Sequence, residues 1–440
     1  MRFFGKNNQV KSVQEVSESG QFSDMTSVRK HRPDYKIILF MGLLMLLGLV
    51  IMYAIGPQRA NVLNNAYGSD YSDTYFFVKQ IISLAISLGV FFAVSKIPYT
   101  LFTKYAGKIL LVAFGACALL AVADLLNLGI AQQSLGATRW FNLGPLGSLQ
   151  PSELLKFALL IFLAGFLGSK AKKNKLNDIN ETIVPVAIIA AVSMLFVIVI
   201  QKDLGTGITM MGIIISMLFV GGMNKRIGVM LVGALAVAGV FLIMSAPHRM
   251  ERILTFFQGD NTSTGDADSY HIEHAKIAIG SGGLFGVGVG NSVQATGYLP
   301  EAINDSVFAI MGETFGFVGL ITILAIFTAL LIRLLMLMDH LVDIRLKLIA
   351  AGVFGWFGSH VILNVASMVG VAPLTGITLP LLSFGGTSML FIAAALGLVF
   401  QLSHFTVRSS VIKEAQNENF GNRRGVGRSR HSSRSGTTRN

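Results

Sequence analysis

Residues 37–55 read IILFMGLLMLLGLVIMYAI, 19 positions without a single charge. At about 1.5 Å per residue a helix of that length crosses the roughly 30 Å hydrocarbon core of a bilayer, and no soluble domain needs so long an apolar run. Working outward, comparable runs recur at 76–94, 109–128, 154–167, 183–200, 205–222, 229–244, 306–336, 348–369 and 387–402. The pattern predicts an all-α, polytopic membrane protein of ten transmembrane helices, with a large extracytoplasmic loop between the seventh and eighth. Composition agrees: 52% of the 440 residues are hydrophobic and 13% are charged, against about 25% charged in an ordinary soluble domain. A soluble globular enzyme is excluded on that ground. The first run lacks a small-residue cleavage site and is followed by many more, so it reads as an anchor and not as a removable signal. The single Cys117 leaves neither a disulfide framework nor a thiolate metal site. A formal charge of +12 would suit nucleic acid only if the basic residues shared one folded surface, and they are strung along the chain, so no nucleic-acid partner is expected.

An even number of spans puts both termini on one side, and the alternate loops can then be scored for Lys and Arg. One side collects 27 of the 35 and is predicted to be cytoplasmic. The expected organisation is a basic cytoplasmic tail over 1–35, a membrane domain over 36–405 with its extracytoplasmic loop at 247–305, and a second basic tail over 406–440. Both tails are too polar to bury a core and are expected to be disordered, within reach of acidic membrane lipid.

This orientation places the segments 132–152, 201–203, 248–305 and 368–386 outside, and they, with the outer end of the fourth span, hold most of the unusual residues: Arg139, Trp140, Glu153, Lys156, Asp203, Glu301 and Asp305. Glu153 and Lys156, three apart on a helix whose first turn holds Pro151, can pair as a snorkelling anchor or leave Lys156 for a phosphate. Asp203 with Thr206 can cap the next helix or bind a sugar. The glycine-rich GSGGLFGVGVG of 280–290 is no dinucleotide loop, because no strand precedes it; it serves either as a phosphate cradle or as a bend between interfacial helices. Residues 270–279 suit a helix lying on the membrane. Pro300 is expected to open the eighth helix, with Glu301 and Asp305 on one face as dipole partners or as a site. Glu313, at hydrocarbon depth on the same helix, calls for a cavity or a cation, which Arg139, Lys156 or a bound ion could supply. The Pro- and Gly-broken stretch 368–386 reads as a re-entrant segment lining a cavity.

These segments carry GATRWFNLGP at 136–145, QPSELLK at 150–156, DLGT at 203–206, AIGSGG at 278–283, LPE at 299–301 running through Asp305 to Gly312 and Glu313, and TGITLPLLSFGGTS at 375–388. By these motifs, which span most of 36–405, the chain resembles the SEDS family of bacterial cell-wall proteins, and leans towards its division branch over its elongation branch. The resemblance implies a peptidoglycan glycosyltransferase that polymerises lipid II at the outer face of the bacterial cytoplasmic membrane, beside a class B penicillin-binding transpeptidase and other division or elongation proteins. It implies Asp305 as the catalytic general base. Arg139, Trp140, Glu153, Lys156, Asp203, Thr206, Glu301, Glu313, Ser383 and Ser388 are the substrate-binding candidates. Glu301 and Asp305 are candidates for a divalent ion, Mg or Mn, and no organic cofactor is expected. A lipid II flippase and a non-catalytic division scaffold are the alternatives.

Overall fold

The computed structural model describes residues 32–134, 137–144, 147–244 and 267–406. The tails and residues 245–266 of the predicted outer loop lie outside the described residues. Apart from the short helix at Tyr99–Lys104, the α-helices in chain order are α1 (Tyr35–Tyr67), α2 (Tyr75–Lys96), α3 (Ala106–Leu125), α4 (Pro151–Lys172), α5 (Ile179–Ile200), α6 (Leu204–Gly221), α7 (Lys225–Met244), α8 (Ala267–Ser281), α9 (Val307–His340), α10 (Ile344–Met368) and α11 (Gly386–Leu402). Among the described residues nine of these are long and apolar enough to cross a membrane, and α7, 20 residues long, sits where the seventh span was expected. The protein is a multi-pass membrane protein.

Burial sorts the helices into a centre and a rim. The most apolar window of α10 is 72% buried against the rest of the protein, while that of α2 is 28% buried and leaves Val78, Ile81, Ile82 and Ile86 on the surface, as a lipid-facing helix requires. The Asp34 amide donates to Ser403 Oγ at 2.9 Å, and Leu341 bridges Thr406, so the start of α1 and the ends of α9 and α11 meet at one end of the bundle, called here the termini end. Residues expected to be functional gather at the opposite, far end.

Two departures from the expected architecture shape that far end. The link between α3 and α4 is not bare loop. It forms a three-stranded antiparallel sheet, β1 (Ala131–Ser134), β2 (Ala137–Asn142) and β3 (Ser148–Leu149), in the order β1-β2-β3. Thr138 Oγ1 ties this sheet to Asp124 Oδ1 of α3 at 2.5 Å.

The second departure is a break in α9 at Gly316, where φ is 69° and ψ is −169°. The glycine-rich segment after α8 lies on the break, backbone to backbone. Val287 N donates to Glu313 O at 2.9 Å, Gly288 N to Thr314 O at 3.1 Å, and Phe317 N to Gly283 O at 2.9 Å. A Cβ on Gly286 would stand 2.2 Å from Thr314 O, so only glycine allows this approach. The carbonyls and amides freed by the break are thus paired inside the protein, as irregular backbone at membrane depth requires. A helix over 270–279 is present within α8, and its His271, Ala275 and Ala278 are buried within the protein.

Candidate active site

Asp305 sits in the turn that feeds α9, and 7% of it is exposed. Several ties fix the turn. Ser306 Oγ donates to the Pro300 carbonyl at 2.8 Å and lies 2.5 Å from His271 Nε2 on α8. The Ile303 carbonyl accepts from Phe384 N at 2.8 Å. Opposite the carboxylate is Gly376, at φ 65°, where a Cβ would lie 3.7 Å from Asp305 Oδ2. An ordinary residue there would be strained, and its Cβ would sit in contact with the carboxylate.

Gly376 belongs to the segment 371–385, irregular as expected, which is the hub of the far end. At α6, a Cβ on Gly205 would meet Thr375 O at 2.7 Å. Two residues of α10 hold the segment from below, Asn364 through the Ile377 carbonyl at 2.7 Å and His360 Nδ1 through the Thr378 carbonyl at 3.3 Å. Ser383 is internal to the hub: its Oγ accepts from Leu379 N at 2.8 Å. Ser388 is half-buried in the first turn of α11.

On the α6 side, Asp203 caps the helix, accepting from Thr206 N and Thr206 Oγ1, both at 2.9 Å, and from Gln150 Nε2 at 3.2 Å. The capping reading of Asp203 and Thr206 therefore accounts for their mutual contacts. Arg139 on β2 reaches across to the same turn, donating to the carbonyls of Gln201 at 3.3 Å and Lys202 at 2.7 Å. Lys202 has φ 52°, a conformation that the guanidinium stabilises by holding its carbonyl. Trp140 is half-buried beside it in β2, paired with Gln132 of β1.

Glu153 and Lys156 form a pair of another kind from the snorkelling anchor considered above. Lys156 Nζ is 2.8 Å from Glu153 Oε1, with side-chain exposures of 0% and 3%. Nζ also contacts His360 Nε2 at 3.0 Å and lies 5.1 Å from the Trp356 ring centroid. Trp356 Nε1 donates to the same Nε2 at 3.2 Å, so that nitrogen is the acceptor and His360 is neutral with its proton on Nδ1. Lys156 is enclosed by this shell, and no phosphate touches it unless the shell opens.

Three other expectations change. Glu301 and Asp305 do not share a helix face: 300–306 is a run of turns, α9 starts at Val307, and Glu301 has φ 48°. Glu301 is 41% exposed at its side chain, hydrogen-bonded by Asn304 Nδ2 and 3.9 Å from Arg59. Glu313 needs no cation. Its carboxylate accepts from Ser292 Oγ at 2.5 Å, Val293 N at 2.9 Å and Gln294 N at 3.3 Å, so it anchors the chain after the glycine-rich segment. In the glycine-rich segment the amides of Val287 and Gly288 are taken up by α9 and are not offered to a phosphate. Among the described residues no three His, Cys, Asp or Glu side chains gather as a metal cage, and Glu301 is engaged elsewhere than at Asp305.

The chain matches the family model for FtsW, RodA and SpoVE, described as cell cycle proteins, over residues 34–408. It belongs to this family. Stage V sporulation protein E of Bacillus subtilis (strain 168) is 32% identical over 382 residues, covering 86% of this chain and 99% of that protein. A relative from Aeromonas salmonicida (strain A449), named "probable peptidoglycan glycosyltransferase FtsW", is 33% identical over 380 residues, covering 84% and 90%. Among solved structures, a chain from a study of how a peptidoglycan synthase complex coordinates polymerization and crosslinking is 25% identical with a TM-score of 0.65, covering 86% and 99%. The rod shape determining protein RodA of Thermus thermophilus has the same fold at 24% identity and a TM-score of 0.58, over 86% and 98%.

In this FtsW/RodA/SpoVE-type chain the residues that sequence reasoning passed over are His360, Asn364, Trp356 and His271. The first two carried a usable signal: polar side chains four apart within an otherwise apolar span project from one face, and at that depth they need partners. Which partners they take depends on contacts 13 to 204 residues away.

Proposed function

We propose that the protein is a peptidoglycan glycosyltransferase that polymerises lipid II, with Asp305 as general base and the far end facing the outside of the bacterial cytoplasmic membrane. The observation that carries this reading is the placement of Asp305: a carboxylate fixed by the 300–306 turn and faced by Gly376, which has no side chain to set against it. The names of the relatives support the reaction class. The bias of Lys and Arg to the termini side, 27 of 35, supports cytoplasmic termini.

One carboxylate is enough for this chemistry. Asp305 takes the proton of the acceptor sugar hydroxyl as its oxygen attacks the anomeric carbon of the donor, and the undecaprenyl pyrophosphate departs with the electron pair of the broken C–O bond, a good leaving group once its charge is met. Arg139 and Trp140, half-buried on β2, are the side chains offered to the pyrophosphate and to a sugar or lipid segment. Among the described residues a Mg or Mn ion would find no protein-built cage, so one carried by the phosphates is the form consistent with these residues. A class B penicillin-binding transpeptidase is the partner proposed, by analogy with the synthase complex whose chain matches this one. Transport of lipid II loses the part of its motive that rested on Glu313, whose carboxylate is spent on the Ser292 hydroxyl and on backbone amides.

The test is a product gel from lipid II with purified protein in detergent, alone and with a transpeptidase. Glycan strands from the wild type and none from Asp305→Ala are expected. Strands from neither protein, with normal lipid II binding, would favour a transporter or scaffold.

A further inference from the structure

Asn364 makes two hydrogen bonds that join parts of the chain far apart in sequence. It is 0% exposed, and its Nδ2 donates to the Asp305 carbonyl and to the Ile377 carbonyl, each at 2.7 Å. A side-chain amide has two N–H bonds on one nitrogen, so one Asn can serve two carbonyls at once. The alternative amide orientation would aim Oδ1 at two carbonyl oxygens, and this decides the assignment. Ile377 is next to Gly376, the residue opposite the Asp305 carboxylate. Asn364 therefore clamps the two backbones whose separation sets the distance between that carboxylate and the backbone facing it.

From this geometry we infer that Asn364 is a positioning residue for Asp305: it fixes the distance between the 300–306 turn and the 375–377 backbone, and so where the base stands relative to the acceptor hydroxyl. The inference rests on the reading of Asp305 as base and adds a residue that need not touch substrate. A proton-transfer group displaced by a fraction of an ångström loses rate before it loses binding, so the signature is in kcat and not in KM. His360, one turn away on α10, holds the neighbouring Thr378 carbonyl, so the segment stays docked when Asn364 is changed.

The experiment compares wild type, Asn364→Asp, Asn364→Leu and Asn364→Gln in detergent, following lipid II polymerisation across substrate concentration, with thermal unfolding as the check on folding. Asp and Leu match Asn in size and cannot donate to two carbonyls; Gln keeps the amide on a longer stem. The expected result is a fall in kcat of at least tenfold for Asp and Leu, with KM within about threefold of wild type, and partial recovery for Gln. If Asn364→Asp does not purify as a folded protein, Asn364→Ser takes its place with the same readouts. Wild-type kcat in the folded Asp or Ser variant overturns the inference, as does a loss confined to KM. Asp305→Ala in parallel separates the two failures: activity in that variant sinks the base assignment itself, while its inactivity beside an active Asn364→Asp sinks only the positioning role.

Discussion

Ion pairs at the two ends of the bundle show the same interaction in two settings. At the termini end, Lys170 pairs with Glu181 at 3.1 Å and Lys172 with Asp343 at 3.2 Å, by side chains between 19% and 50% exposed. At the far end, Glu153 and Lys156 pair at 2.8 Å with almost no exposure. The lengths differ little, yet water screens the first set and is shut out from the second. Exposed pairs are worth about 0–1 kcal/mol, whereas removing one partner of a buried pair costs about 3–5 kcal/mol because the other charge is left stranded. The Lys170 and Lys172 pairs belong to a solvated rim. The far end invests buried polar groups in holding irregular backbone around Asp305.

Lys156→Met is expected to have the largest effect on stability, lowering it by about 3–5 kcal/mol through the abandoned Glu153 carboxylate, read as a fall in the detergent unfolding temperature. Adding Glu153→Gln should recover a large part of that loss. A single-variant cost as small as that of a rim pair would erase the contrast between the ends. Next is Glu313→Gln, which weakens the charged acceptor of Ser292, Val293 and Gln294; a loss of about 1.5–3 kcal/mol, with faster amide exchange over 286–296, is the expected outcome. If Glu313 instead served a cation, exchange there would be unchanged and activity would respond to added divalent ions. Arg139→Ala frees the Gln201 and Lys202 carbonyls and should cost about 1–2 kcal/mol, with a protease-sensitive turn at 201–203. The smallest effect is expected for Asp343→Ala, within about 1 kcal/mol and vanishing at high salt. Lys175 belongs with this group: its hydrogen bond to Glu181 raises its pKa, so the pair holds until strongly alkaline pH and is lost only as pH climbs through that raised value.

How legible each part was in the sequence follows from the range of the forces involved. The spans were readable because a membrane helix is set by its own composition, and α2 or α5 would be apolar whatever surrounded it. The irregular backbone of 371–385, within the stretch 368–386 read as re-entrant, was readable too, since Pro373, Gly376 and Pro380 forbid a helix locally. The start of α9 was not. Pro300-Glu301 has the chemistry of a helix N-terminus, but His271 on Ser306 and Phe384 on Ile303 hold the next residues in turns, and those partners lie 35 and 81 residues away in the chain. The sheet that carries Arg139 escaped notice because each strand is no more than six residues long. Glu313 misled for a related reason: a carboxylate at hydrocarbon depth does need donors, but backbone amides of a docked segment can supply them as well as a cation can. The cluster of Glu153, Lys156, His360 and Trp356 combined a legible half on α4 with a half on α10 that only folding brings to it.

The most direct measurement is the single-turnover rate of glycosyl transfer for Asp305→Asn, which keeps the shape of the side chain and removes its basicity, set beside lipid II binding by the same sample. General bases contribute about 10²–10⁴ in rate, so a fall of at least a hundredfold with binding unchanged is the predicted result. Transfer within a few-fold of wild type would contradict the account, and Asp305 would then be one more structural acid at the mouth of a helix.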